Sequence, residues 1–278
     1  FEDSRFRTAL KHTCLDPSVV SFWSNMAERA GGEASLENLA PYVVSKLNQF
    51  VQNGILRPII GQSSSTVDFC NAMDNGAIIL VNLAKGLLGD MDARLLGMII
   101  VGKILQAAMK RVLQPQAARR PFHLVIDEVH NFTTASLSEM LSEARKFGIT
   151  LTLANQHLSQ IENSGLLDSV LGTVGNLVLF RLGPRDAQTL DPYFRPRFSA
   201  EDMRYLPDHH AVAMILNHLA PQRPFVLETL PPDSHQVRPM FTPVERVNVQ
   251  RQAMKRHTRS RKRVLEEIDN RVATFLAA

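Results

Sequence analysis

The sequence has only two cysteines, Cys14 and Cys70, in 278 residues, with no CxxC pair and no cysteine–histidine cluster. That argues against a disulfide-held scaffold and a structural zinc site, and it suits a reducing compartment such as the cytosol. No apolar run approaches the ~18 residues a membrane helix needs; the best one, Leu95 to Gly102, stops at Lys103 and reads as a core helix. There is no signal peptide pattern. His130, His157, His209 and His210 are too scattered for metal-ligand spacing, and no G-x-S-x-G elbow supports a serine hydrolase. Long repeats and low-complexity tracts are missing too. What is present is globular material, 45% hydrophobic, enough for one α/β domain with helical additions.

The most informative stretch is Phe122-His123-Leu124-Val125-Ile126-Asp127-Glu128, an apolar strand that ends abruptly in two adjacent carboxylates. Open α/β sheets bind ligands at the C-terminal edge of their strands, which is where these carboxylates fall. There Asp127 can hold Mg²⁺ through water and Glu128 can orient or deprotonate an attacking water, the arrangement of a Walker B site. The plainer alternative is a loop that opens after a buried strand.

The residues that follow favour the first reading. Leu137, Met140, Leu141 and Ala144 recur at helical spacing within Ala135 to Phe147, Gly148 ends the helix, and Ile149 to Ala154 reads as a second strand. A strand–helix–strand unit of this length makes a parallel crossover and brings Asn155 and Gln156 to the same sheet edge as Asp127. An amide there can sense a γ-phosphate; otherwise Gln156 is a loop residue without a ligand.

The segment from Ile59 to Arg111, then "FHLVIDEVHNF", "SEARKFGITLTLANQHLSQI" and "GNLVLFRLGPRDA", resembles the C-terminal half of conjugative DNA-transfer ATPases. These belong to the FtsK/HerA class of P-loop motors, which includes the type IV secretion coupling proteins. The resemblance runs from about Ala9 to about Pro231. It implies an α/β, RecA-like P-loop NTPase motor domain with a mainly parallel sheet flanked by helices, using ATP and Mg²⁺. It matches Asp127 and Glu128 to the Mg²⁺-associated and catalytic carboxylates, and Gln156 to the polar residue after the next strand. Arg145 matches the arginine that reaches a neighbouring subunit's nucleotide in ring-shaped members, where a guanidinium supplied in trans neutralises phosphoryl charge. Arg181 and Arg185 are rival finger or sensor residues at the nucleotide. The alternative for Arg145 is a solvated cation that complements a helix C-terminus. The resemblance further implies a homo-hexamer acting on DNA, relaxosome or secretion-channel partners, and a cytoplasmic location with the intact parent attached to the inner membrane.

A Walker A loop should precede Walker B on an earlier strand and helix. Gly97 to Lys103 fits G-x-x-x-x-G-K, but Ile104 follows where Ser or Thr would face Mg²⁺, and the match lies inside a helical run from about Ala93 to Arg111. Amides already bonded within a helix cannot wrap a phosphate. The family's Walker A half lies upstream of the matched region, so the expectation is that these residues are the C-terminal part of a longer protein and hydrolyse little or no ATP alone.

Net charge is +4, but Arg246 to Arg263 holds eight Lys or Arg and no acidic residue, against 23 basic and 27 acidic residues elsewhere. This stretch is compatible with one basic helix. Arg251, Lys255, Arg256, Arg259 and Lys262 are its candidates for DNA phosphates, each neutralised phosphate adding a salt-dependent increment. A solvated tail or an acidic protein partner are the alternatives.

The expected organisation is a helical region over 1–60, a RecA-like core over 61–231, and a linker with the basic helix over 232–278. Within the core, Ala77 to Leu83 reads as a buried strand, Asn176 to Arg181 as another, Pro184 onward as a helix, and the segments flanking Pro221 as a hairpin. Pro231-Pro232 marks the domain end. Two further functions stay open: a non-catalytic scaffold or adaptor that keeps the fold, and an FtsK/HerA-type translocase unconnected with conjugation.

Overall fold

Short polar residues start most of the helices, because a side-chain oxygen can take up amide groups that the first turn leaves unbonded. Asp3 accepts from the amides of Arg5 and Phe6 at 2.8 and 3.1 Å, Thr134 accepts from Leu137 at 3.3 Å, and Ser199 and Asp202 form a reciprocal capping box. The computed structural model describes residues 3–31, 35–162, 166–217, 220–231 and 242–277. In chain order the elements begin with α1 (Ser4–Thr13), α2 (Pro17–Ser21), α3 (Leu36–Val51), α4 (Leu56–Ile60), α5 (Phe69–Asp74), α6 (Lys85–Leu88) and α7 (Asp90–Lys110). Then come β1 (Phe122–Ile126), α8 (Ala135–Glu143), β2 (Ile149–Leu153), α9 (Ser159–Glu162), α10 (Leu166–Thr173), β3 (Leu177–Leu179) and α11 (Pro184–Phe194). The last are α12 (Ala200–Arg204), β4 (His210–Met214), β5 (Leu216–Asn217), β6 (Ala220–Pro221), β7 (Phe225–Glu228), α13 (Pro243–His257) and α14 (Arg261–Ala277).

The chain divides into two units, one of residues 1–67, 84–93 and 252–278, the other of 68–83 and 94–251. The first is helical. Its C-terminal helix α14 buries Val264 and Ile268, and charged side chains tie it to α4 and the residues flanking it. Arg57 pairs with Asp269 at 2.7 Å, Arg261 donates to the Gly54 carbonyl at 2.9 Å, and Arg271 donates to the Gly61 carbonyl. The stretch expected as one basic helix is two helices, α13 and α14, separated at Thr258–Ser260, residues that favour helix ends over helix interiors.

The second unit carries the sheets. β1 and β2 pair in parallel, Phe122 opposite Ile149 and Ile126 opposite Leu153. Between them α8 runs into a 3₁₀ turn, Ala144–Phe147, and Gly148 at φ 72° turns the chain into β2, a left-handed conformation that favours glycine. Side chains alternate along β1 and β2, so Leu124 and Leu151 join a core with Met140, Leu137 and Val101, while Val125 is exposed. A second cluster, around Leu190, Phe194, Met203 and Val212, lies under the antiparallel sheet β3-β4-β7. Leu158 and Leu171 border both clusters.

Two expectations need correcting. The fold is mixed α/β and mostly helical, and among the described residues only β1–β2 is parallel, while β3 takes an antiparallel partner; the expected terminal hairpin, by contrast, is present as β4 paired with β7. Ala77 to Leu83 forms no strand, and Ile78 and Leu80 are almost fully exposed, because none of the other described strands pairs with this segment. A strand needs such a partner for its amides and carbonyls. Pro232 and the expected linker to residue 241 lie outside the described residues.

Candidate functional site

β1 ends at Ile126, and the chain leaves the sheet through Asp127 and Glu128. Ala154, just past β2, bonds to both sides of this exit: its amide donates to the Ile126 carbonyl at 2.9 Å, and its carbonyl accepts from Val129 at 3.0 Å. The register therefore sets Asp127-Glu128 beside Asn155-Gln156, as the strand–helix–strand reading requires. Glu128 has φ 50° and ψ 51°, an uncommon conformation for a residue with a side chain. Asp127 is exposed and one of its oxygens accepts from the Glu128 amide at 2.9 Å.

The carboxylate of Glu128 is about one-third exposed and lies 3.2 Å from His130 Nδ1. His130 Nδ1 is also 2.9 Å from Asn155 Oδ1, so residues from both strand exits meet at one imidazole. Gln156 is exposed beside them. Behind this edge, Asp186 in the first turn of α11 is buried and accepts from the Leu158 amide at 3.2 Å. That contact pins the loop after β2 to α11, the helix that carries Arg185 and begins three residues after Arg181. Both arginines are exposed, and Arg181 pairs with Asp208 at 3.0 Å.

Arg145 lies elsewhere. It precedes β2, at the edge of the β1–β2 sheet opposite the carboxylates, and a five-residue strand at about 3.3 Å per residue separates the two edges by roughly 16 Å. Gly97 to Lys103 lies within α7, as expected, and Gly97 has a packing role: a Cβ there would collide with the ring of Phe132. Of the basic candidates, Arg251, Lys255 and Arg256 are exposed on α13. Arg259 pairs with Glu267, and Lys262 approaches Glu266 at 4.0 Å.

Asp127 fits a hydrated Mg²⁺ only in company with a nucleotide. One of its oxygens is occupied by a backbone amide, and among the described residues no group of three or more metal-ligating side chains occurs. A Mg²⁺ held by one carboxylate takes its other ligands from water and phosphate, which is how this ion is bound in ATPases. Asn155 and Asp186 make contacts at this edge to which the sequence reading gave no role. Asn155 was legible as a strand exit, and Asp186 as a helix-start residue, but their partners are long-range.

The mixed α/β fold thus sets adjacent carboxylates at the exit of one parallel strand beside an amide at the exit of the next. Residues 121–192 match the family model described as the TraM recognition site of TraD and TraG. Over that segment, about a quarter of its length, the chain is similar to the TraG/TraD type of conjugative coupling protein. Among solved structures it is similar to the unbound bacterial conjugative coupling protein TrwBdeltaN70, with a TM-score of 0.54 and 18% identity, over 85% of this chain and 60% of that one. TrwB in complex with ADP and Mg²⁺ gives 0.53 and 17%, over 80% and 57%. TrwB with the ATP analogue ADPNP gives 0.52 and 16%, over 80% and 57%. The chain thus spans 57–60% of the length of these structures. At such identities the likeness establishes the fold alone. No curated protein sequence matches the chain.

Proposed function

We propose that this chain is the Walker B-bearing part of an ATP-driven motor that transfers DNA, or DNA with attached protein, in conjugation or type IV secretion. The observation that carries this reading is the registration of Asp127-Glu128 with Asn155-Gln156 at one sheet edge, inside the segment matched to TraD and TraG. Asp127 holds Mg²⁺ through water, Glu128 orients or deprotonates the attacking water, and Gln156 contacts the γ-phosphate. The phosphate-binding loop comes from outside these residues, since Gly97 to Lys103 is helical.

Arg145, at the opposite sheet edge, acts on a neighbouring subunit's nucleotide in a homo-hexameric ring, while Arg181 and Arg185 serve the nucleotide of their own chain. The family description supports a TraM-type relaxosome protein as partner. DNA is the substrate, and the cations of α13 contribute to holding it. Among the described residues no helix is long and apolar enough to cross a membrane.

The test of the division of labour is ATP turnover by the purified 278-residue chain. Little or no hydrolysis is expected. Measurable turnover that Glu128→Gln abolishes would overturn the claim that the phosphate-binding loop is supplied from elsewhere.

A further inference from the structure

The orientation of each group around His130 can be worked out from its neighbours. Asn155 Nδ2 donates to the His157 carbonyl and to Gln160 Oε1 at 3.1 Å. A carbonyl only accepts, so the amide nitrogen of Asn155 points there and its oxygen faces His130. That oxygen also accepts from the His130 backbone amide at 3.4 Å. On the other side of the ring nitrogen is a carboxylate oxygen of Glu128, again an acceptor. A nitrogen placed between two acceptors has to carry a proton, so one Nδ1–H is shared by Asn155 and Glu128.

We propose that His130 and Asn155 are positioning residues for the Glu128 carboxylate, holding it in a fixed relation to Gln156 on the neighbouring strand exit. The inference rests on the reading of Glu128 as the group that activates water. Asn155 directly precedes Gln156, and its side chain reaches back across the strand exits to the imidazole that touches Glu128. A displacement of Gln156 by a γ-phosphate therefore carries Asn155, and through His130 the Glu128 carboxylate, with it. The left-handed backbone at Glu128 gives the carboxylate no helix or strand ladder of its own, so its direction depends on this contact. His130 is mostly buried, with 16% of its side chain exposed, which limits exchange of the shared N–H for a bond to water. Partners of this kind orient a reacting group without touching substrate, and losing one typically costs ten- to a hundred-fold.

The experiment has two arms. In the full chain, long-range ¹H–¹⁵N spectra of the imidazoles should show His130 protonated at Nδ1, with ring shifts that move in both Glu128→Gln and Asn155→Ala. An Nε2–H tautomer, or ring signals that neither variant moves, overturns the tether. In the ATPase that contains this chain together with its phosphate-binding loop, His130→Ala and Asn155→Ala should each lower kcat by roughly ten- to a hundred-fold. KM for ATP should stay within about two-fold, and the double variant should fall little further than either single one, because both remove the same tether. Unchanged kcat, or a loss confined to KM, overturns the positioning role. Because Asn155 also bonds the His157 carbonyl and Gln160, Asn155→Ala should lower the unfolding temperature modestly, and kcat read well below both variants' transitions separates positioning from folding. Turnover that survives Glu128→Gln would instead remove the reading of Glu128, and the spectra would still decide whether the tether exists.

Discussion

Arg111 is buried with 2% of its side chain exposed, and its guanidinium holds Asp74 through Nε at 3.1 Å and Nη2 at 3.0 Å. Its remaining nitrogen, Nη1, donates to the carbonyls of Arg120 and Phe147 at 3.0 and 3.2 Å. Asp74 closes α5, Arg120 shortly precedes β1, and Phe147 shortly precedes β2. One cation thus joins a helix end to the starts of both parallel strands, at the edge away from the carboxylates. The planar fork of arginine serves these acceptors at once, which a lysine ammonium cannot do with the same geometry.

Removing the partner should therefore cost more than removing a surface charge. Asp74→Ala leaves the buried guanidinium without its counter-charge, a change worth ~3–5 kcal/mol at fully buried pairs. Because 37% of the Asp74 side chain is exposed, water offsets part of the loss and about 2–3 kcal/mol is expected. Arg111→Lys should also destabilise. Urea unfolding measures both, and an unchanged midpoint for Asp74→Ala would contradict the clamp.

Two glycines of α7 should respond in opposite directions to alanine. A Cβ at Gly102 meets nothing within 4 Å, so Gly102→Ala should gain the helix propensity difference of roughly 0.8–1 kcal/mol. A Cβ at Gly97 collides with the buried ring of Phe132, and overpacking of that kind costs ~1–3 kcal/mol, enough to outweigh the same gain. Thermal unfolding of the two variants checks the sign of each. Equal shifts would show that α7 does not pack on Phe132 as described.

The helical unit should loosen in mild acid at α1. Lys11 and then Arg7 donate to Glu28, at 2.7 and 3.2 Å, and these bonds hold its carboxyl below the ordinary glutamate value. A depressed folded-state pKa contributes stability at pH above the unfolded value, about 4.3, and loses it as pH falls through the lower folded value. Glu28→Gln should remove this acid sensitivity while leaving the rest of the acid transition in place. Parallel pH-unfolding curves for the parent and the variant would contradict the assignment.

DNA binding should depend on the exposed face of α13. Replacing Arg251, Lys255 and Arg256 with alanine should weaken duplex binding across sequences and lower the slope of log K against log salt by about 3, close to one unit for each phosphate no longer neutralised. Replacing Arg259 and Lys262, already partnered by Glu267 and Glu266, should change it less. Fluorescence anisotropy over a series of salt concentrations reads both. Equal slopes for parent and triple variant would take α13 out of the DNA interface.

The elements around the site were legible because their signals are local. The apolar run into Asp127-Glu128, the 3.6-residue pattern after Ala135 and the stop at Gly148 each lie within a few residues of the feature they specify. The structure places β1, α8 and β2 within a residue or two of those readings once the 3₁₀ turn at Ala144–Phe147 is joined to α8. What was not legible depends on distant partners. Ala77 to Leu83 has the composition of a buried strand, yet a strand exists only where another pairs with it. The charge run from Arg246 to Arg263 reads as one surface, but the ties of Arg259 to Glu267 and Arg261 to Gly54 show that part of it holds the helical unit together. The hydrogen bonds of Asn155 with His130 and of Asp186 with Leu158 bridge 25 and 28 positions, and no spacing rule reports them.

The most direct test of the central claim is ATP turnover, with and without DNA, by the ATPase that carries this chain and its phosphate-binding loop, beside its Glu128→Gln variant. The account predicts hydrolysis that DNA stimulates and that Glu128→Gln lowers by at least about a hundred-fold, in line with loss of a general base. Turnover that Glu128→Gln leaves intact would contradict the role of this carboxylate, and a folded protein with an intact phosphate loop that hydrolyses nothing would contradict the motor and favour a scaffold that has kept the fold.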